Sequence, residues 1–241
     1  MSFFYIEICT FTREILFMKP VVTFLFLFFV FIGFGQKDSL QIGDAYLEDQ
    51  IYFGVTYNQL TAQPSQVIRS GFSYGINAGY IRDISLSKSG KLALGLGIGY
   101  SFDSLKHGYK VSEVNSDVLI EVDASIQVRN TLKIHSVEFP FEFRWRTSSA
   151  NKYKFWRIYT GIKFSYSLNN SIEFTENSVV NSFKNIDRFN KLQYGLTLSA
   201  GYSTFNFNLY YGLTPIFNDA VVGTNSIKTK IVKVGILFYI L

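Results

Sequence analysis

The stretch LALGLGIGYSFD (Leu92–Asp103) admits two opposite readings. Its alternate glycines, Gly95, Gly97 and Gly99, would suit a loop that cradles phosphate, or the small-residue side of a β-strand. The dinucleotide fingerprint needs a third glycine three places after the second. That place holds Tyr100 counting from Gly97, or Phe102 counting from Gly99. A phosphate-binding G-K-[ST] is missing too, because Gly90-Lys91 runs straight into Leu92. What remains is period two. Leu92, Leu94, Leu96, Ile98, Tyr100 and Phe102 share one side, and Ala93, Gly95, Gly97, Gly99, Ser101 and Asp103 the other. Strict alternation is the signature of a strand with one apolar face.

The same pattern recurs on both flanks. Toward the N-terminus, Ile51, Phe53, Val55 and Tyr57 oppose Tyr52, Gly54, Thr56 and Asn58, and then Phe72, Tyr74, Ile76, Ala78 and Tyr80 oppose Ser73, Gly75, Asn77 and Gly79. Toward the C-terminus, VEFPFEFRWR (Val137–Arg146) sets Val137, Phe139, Phe141, Phe143 and Trp145 against charged residues. Three more alternating segments lie in Trp156–Leu168, Leu192–Ser203 and Phe205–Thr214. The last, Lys230–Leu241, is apolar on both sides, so its faces stay unassigned. This predicts about eight strands, the smallest number in outer-membrane barrels.

A soluble sandwich would turn the greasy side inward, whereas a membrane barrel turns it to lipid. Four features favour the barrel. Several segments have the length a tilted strand needs to cross a bilayer. The polar sides carry Gly, Ser and Asn, which suits a lumen with little room. Aromatics fall in two belts: Tyr57, Tyr74, Tyr100, Tyr166, Tyr194 and Tyr211 at one rim, and Tyr80, Trp145, Trp156 and Tyr202 at the other, as lipid interfaces select. Short links (Ser85–Lys91, Thr147–Lys154, Ser203–Thr204) alternate with long ones (Leu60–Ser70, Ser104–Asn130, Asn169–Lys191, Pro215–Lys228). The expected fold is all-β, a transmembrane antiparallel up-and-down barrel over residues 50–241. The aromatic content of 18%, with 25 Phe and 16 Tyr against 4 Pro, agrees with that bias.

The front of the chain reads as an export signal. From Met18, a lysine precedes an apolar run from Val21 to Phe34, and Gly33 and Gly35 offer the small residues a signal peptidase reads. The run is shorter than the ~20 residues of a transmembrane helix. Glu7 and Glu14 fit poorly in a positive n-region. Residues 1–17 are therefore expected to be an upstream misread, 18–35 the signal peptide and 36–49 a periplasmic segment. The single cysteine, Cys9, precedes the cleavage point, which leaves no thiol for a disulfide framework or thiolate metal cluster. No cofactor or metal is expected. The net charge of +5 is scattered and forms no nucleic-acid stripe, so no nucleic-acid partner is expected.

The segments VEFPFEFRWR, FWRIYTGIKFSYSL (Phe155–Leu168), QYGLTLSAGYSTFNFNLYYGLTPIFND (Gln193–Asp219) and the closing VGILFYIL resemble the PorT-like outer-membrane β-barrel family from about Leu47 onward. The resemblance implies a porin-like barrel in the bacterial outer membrane, kin to a component of the type IX secretion apparatus, with no catalytic motif to carry over. The chain ends on Leu241, with Tyr239, Phe238 and Gly235 nearby, a departure from the terminal aromatic of the usual assembly signal. The expected partners are outer-membrane lipid, the barrel-assembly machinery during insertion, and an envelope protein complex.

Inward Glu138, Glu142, Arg144, Arg146, Arg157 and Lys163 would line a selective pore or form an ion-pair plug; the narrow lumen of eight strands favours the plug. His107 and His135, with Asp103, Ser104 and Ser136 close in sequence, are the residues a catalytic rim would use, but no supporting motif accompanies them. Pro140 is expected to mark a bulge or a local widening of the ladder. The glycines of Leu92–Asp103 are expected to make room for charged side chains of the Val137–Arg146 strand. VSEVNSDVLIEVDASIQV (Val111–Val128) alternates well enough to extend a hairpin above the membrane. The expected role is a non-enzymatic structural or accessory subunit of an envelope machine, for secretion or outer-membrane protein assembly. A stand-alone narrow porin is the alternative, and a lipid-modifying enzyme a remote one.

Overall fold

The computed structural model describes residues 49–63, 71–87, 89–114, 117–122, 130–147, 156–176, 179–218, 221–222, 225–226 and 228–240. The upstream segment 1–17, the signal peptide 18–35 and all but the last residue of 36–49 lie outside the described residues. The strands, in chain order, are β1 (Asp49–Thr61), β2 (Tyr74–Ser85), β3 (Leu92–His107), β4 (Tyr109–Val114), β5 (Asp117–Val122), β6 (Asn130–Arg146), β7 (Trp156–Glu176), β8 (Val179–Lys184), β9 (Leu192–Tyr202), β10 (Phe205–Gly212), β11 (Val221–Val222), β12 (Asn225–Ser226) and β13 (Lys230–Ile240).

Eight of them, β1, β2, β3, β6, β7, β9, β10 and β13, pair antiparallel in chain order, and the β13–β1 pairing closes the ring. This is the predicted barrel. Following the register once around, Asp49 pairs Arg82, then Leu96, Phe141, Ile162, Leu196, Tyr211, Val232 and finally Gln59. The walk returns ten residues above its start (59 − 49), which is the stagger of the barrel. With a ~3.3 Å rise and ~4.8 Å strand spacing, eight strands so staggered tilt by about 40° and enclose a backbone radius of about 8 Å. Side chains fill a tube of that width.

The alternation read from the sequence is what the wall shows. Along β1 the burial pattern is exposed-buried without a break up to Leu60, and β6, β7, β9 and β10 repeat it. In β13, whose faces the sequence left open, Ile231, Lys233, Leu237 and Tyr239 point inward, while Ile236 and Ile240 are exposed outside.

Of the two outcomes expected at Pro140, the structure has a gap in the ladder and no bulge. The β3–β6 register is the same on either side of it, Leu96↔Phe141 below and Gly99↔Glu138 above, and Pro140 still pairs Lys163 on β7. The ladder to β3 skips two pairs, Gly97 with Pro140 and Ile98 with Phe139, around a residue that has no N–H to give. The irregularity lies higher up. The β6–β7 register shifts between His135 and Ser136, where Leu168 of β7 is left over.

Short turns gather at one end of the barrel and long links at the other. On the long-link side, β3 runs on to His107 and β7 to Glu176, β8 pairs with the top of β7, and β4 and β5 form a hairpin closed by Val114↔Asp117. Of the segment Val111–Val128 expected to form a hairpin, the described part does so, in β4 and β5, and residues 115–116 and 123–128 lie outside the described residues.

Candidate functional site

The lumen is packed in tiers. At the short-turn end, Arg144 and Arg146 are fully buried and share Asp83: Arg144 Nη1 lies 2.7 Å from Asp83 Oδ1, and Arg146 Nη1 lies 2.6 Å from Oδ2. Arg144 also donates to Glu142 at 3.0 Å and to Gln50 at 3.1 Å, and its guanidinium sits 4.4 Å from the centre of the Tyr159 ring. Arg146 Nε donates to the carbonyl of Gly90 at 2.8 Å, in the β2–β3 turn where Gly90 takes φ +67°. A positive φ is cheap only for glycine. Arg157 is buried on the adjoining strand, 5.9 Å from the Tyr239 ring.

One level up, Lys163 Nζ pairs with Glu138 at 2.9 Å, beside a cavity of about 20 Å³ lined by Tyr52, Asn77, Thr197, Asn208, Leu237 and Tyr239, among others. That is room for one water molecule and no larger solute. Above it, Lys233 donates to Asp103 at 2.6 Å, and Asp103 also accepts from Asn58 at 2.7 Å. Among the described residues, buried Asp83, Asp103, Glu138 and Glu142 thus face Arg144, Arg146, Arg157, Lys163 and Lys233. Burying a charge costs several kcal/mol unless it is paired, and the pairing observed is what offsets that cost.

The outer end of the lumen is apolar. Leu60, Leu105, Leu132, Ile134, Ile172 and Ile231 turn inward from the strand ends and meet Tyr109, Ile186, Phe189, Ile216 and Phe217 from the links, all buried in one cluster. The links are pinned by backbone bonds, Asn190 N–H to Ile216 O at 2.8 Å and Ile216 N–H to Thr229 O at 2.8 Å. The Tyr109 hydroxyl meets Thr229 Oγ1 at 2.5 Å. A hydrophobic seal therefore sits over a charged column.

All six inward residues singled out from sequence lie in this column, on β6 and β7. Sequence reasoning missed their partners Asp83 and Gln50, the Lys233 that pairs with Asp103, and the apolar seal. The seal did leave a signal. Inward positions change from Gly and Ser to Leu and Ile at Leu60, Leu105, Leu132 and Ile134. The glycines of β3 serve three different neighbours. A Cβ on Gly95 would meet Arg144 Nε at 2.5 Å, as expected; one on Gly97 would meet Ile81 Cγ1 and the Tyr80 carbonyl of β2, both at 2.6 Å; one on Gly99 would strike the Tyr52 hydroxyl, from β1.

The two histidines do not form a site. His135 points outward, its Nδ1 2.5 Å from the Tyr100 hydroxyl and its ring 4.9 Å from that of Phe102. His107 is buried inside, at the loop end of β3 beyond the membrane-spanning stretch, and its Nδ1 accepts from the Tyr109 N–H at 3.1 Å. Burial, helped by Lys106, pushes its pKa down to about 3, so the ring is neutral. Asp103 is committed to Lys233 and Asn58.

The outer face is apolar and aromatic. Tyr57, Tyr74, Tyr100, Tyr166, Tyr194 and Tyr211 are exposed toward the long-link end, and Tyr80, Trp145, Trp156 and Tyr202 toward the short-turn end. Register ties them into rows: Tyr57↔Tyr74 in one, Trp156↔Tyr202 in the other. On β7, Trp156 and Tyr166 stand ten residues apart, about 25 Å along the axis at ~40° tilt, the height of an outer-membrane apolar band.

Residues 34–218 match the family model described as "Outer membrane protein beta-barrel domain". No curated protein matches. Among solved structures, the chain is similar to the crystal structure of Ail, the attachment invasion locus protein of Yersinia pestis, with 13% identity and a TM-score of 0.38 over 79% of this chain and 96% of that one. It is also similar to the same protein in complex with the heparin analogue sucrose octasulfate, with 13% identity and a TM-score of 0.36 over 79% of this chain and 96% of that one.

Proposed function

The chain belongs to the family of outer membrane protein beta-barrel domains, and on that footing we propose that it works as a closed, non-enzymatic barrel that anchors a larger envelope assembly. It lies in the bacterial outer membrane, with the short turns toward the periplasm and the long links outside. The observation that carries the reading is the packed lumen: an ion-pair column with a cavity of about 20 Å³ within it, and an apolar seal above. A channel would need an open path, and a hydrophobic constriction opposes one further by dewetting. The residues free to act are then those of the outer face and of the loop-end hairpins. The assembly is of the kind the PorT resemblance implies, a secretion or outer-membrane protein assembly machine.

Purified protein in planar bilayers is expected to carry no sustained current; a steady, ion-selective conductance would make it a narrow porin instead. Affinity purification in mild detergent is expected to recover other envelope proteins in fixed ratio with the barrel. Recovery of the barrel alone would remove the accessory role while leaving the closed lumen intact.

A further inference from the structure

Charge on the outside of the barrel is distributed unevenly along its axis. Among the described residues, the outward charges near the short-turn end are Asp49, Arg82 and Lys91, with Asp49 and Arg82 3.9 Å apart. At the long-link end the cations crowd into a narrow band. Lys230 lies two residues beyond Val232, the register partner of Tyr211. Lys133 lies two residues beyond His135, and Lys106 four beyond Phe102, the partner of His135. Lys228 stands two residues past Lys230. Allowing for the strand tilt, these four outward lysines fall within about 5 Å of one height, roughly 10 Å beyond the outer row of tyrosines.

Their common height suits one kind of anionic ligand bound around the barrel, with Lys106 and Lys133 on adjacent strands and Lys228 and Lys230 on the far side. Lys228 is exposed, and Lys106, Lys133 and Lys230 are half-buried. Lys230 Nζ lies 6.0 Å from the centre of the Tyr211 ring, so aromatic belt and lysine band are in contact. Lys106 Nζ donates to Thr131 Oγ1 at 2.6 Å, which leaves it donors to spare. Among the described residues, Glu173 pairs with Lys133 at 2.7 Å from two residues further out than Ser171, the partner of Lys133, and Asp187 is exposed in the link before Lys191.

We propose that this lysine collar binds the phosphate groups of phosphorylated glycolipid headgroups in the outer leaflet. The argument is continuity and complementarity. The apolar face takes acyl chains, the tyrosine row marks the interface, and the next polar layer a lipid presents is its anionic headgroup. Basic side chains close to a membrane surface each strengthen anionic-lipid binding by about fivefold. The collar does not depend on whether the lumen is closed or on any protein partner.

The test uses the full-length barrel folded in zwitterionic detergent and analysed by native mass spectrometry. The micelles are doped with bis-phosphorylated lipid A, or with the same lipid after dephosphorylation. The bis-phosphorylated form is expected to be retained at least tenfold better, with the preference falling as salt is raised. A Lys106→Gln/Lys133→Gln/Lys230→Gln variant is expected to weaken retention by about a hundredfold, to the level of the dephosphorylated lipid. Its folding is checked independently by its unheated migration on a gel, and Lys91→Gln, at the opposite end, should change nothing. Equal retention of the two lipids would overturn the proposal. So would a phosphate preference that survives in the folded triple variant, since it would put the phosphate elsewhere.

Discussion

Asp83→Ala is expected to be the most damaging single substitution in the lumen. Both oxygens of this carboxylate are used, one by Arg144 at 2.7 Å and the other by Arg146 at 2.6 Å, and all three side chains are completely buried. Removing it takes from both buried guanidiniums a carboxylate that they share, while Glu142 stays 3.0 Å from Arg144 Nη2. Breaking a buried ion pair from one side costs about 3–5 kcal/mol, because the surviving charge keeps its desolvation penalty and loses its compensation. The urea midpoint of the barrel in lipid vesicles, followed by unheated gel migration, should fall accordingly. Asp83→Asn keeps the shape and an acceptor, and should land between the variant and the parent. An unchanged midpoint for Asp83→Ala would mean that water already solvates the two arginines. The lumen would then be an open path, and the closed-barrel reading would fail.

Gly99→Val is expected to be comparably severe, for a steric reason. A Cβ at Gly99 would collide with the Tyr52 hydroxyl and lie 2.8 Å from the carbonyl oxygen of Ala78 and 2.9 Å from Tyr52 Cζ. The ring belongs to a side chain pinned inside the wall, and the carbonyl is backbone of the neighbouring strand, so neither has space to yield. Overpacking a filled core costs about 1–3 kcal/mol, and more where backbone must move. Folding yield into vesicles should drop sharply. Ile98→Val, one residue away but facing lipid, should shift the midpoint by less than about 0.5 kcal/mol. Adding Tyr52→Ala to Gly99→Val should recover part of the loss, which two independent sites would not do. If Gly99→Val folds as well as Ile98→Val, the glycines are not the packing gaps described here.

The contrast between neighbours 98 and 99 shows how much could be read before any fold was known. Period-two alternation is a local property: the side chain of each residue in a strand points opposite to the last, so composition alone separates lipid side from lumen side. The inward set on β6, the aromatic rows and the order of short and long links all follow from it. Where the two sides are alike, as in Lys230–Leu241, the same logic gives nothing. The outcome there was decided by the pairing of β13 with β1 and β10. At Pro140 the missing N–H opens the ladder without adding a residue, and the leftover residue falls at Leu168, where no sequence signal marks it.

Contacts across the lumen depend on closure. Lys233 and Asp103 are 130 residues apart in the chain, and Asp83 is 61 and 63 residues from its two arginines. No local pattern links them. Their meeting heights follow from the ten-residue stagger, a property of the whole ring that fixes which inward residue of one strand lies level with which of another. The apolar seal is the same kind of fact, since Phe189 and Phe217 reach it from two separate links. The sequence by itself determined a membrane barrel of about eight strands, which side of most strands meets lipid, and that the lumen carries charge. Only the tertiary structure decided which charges neutralise one another, what stops the outer mouth, and that the outward lysines share one height. Side-chain direction is set residue by residue, whereas height and partnership exist only once the sheet has closed on itself.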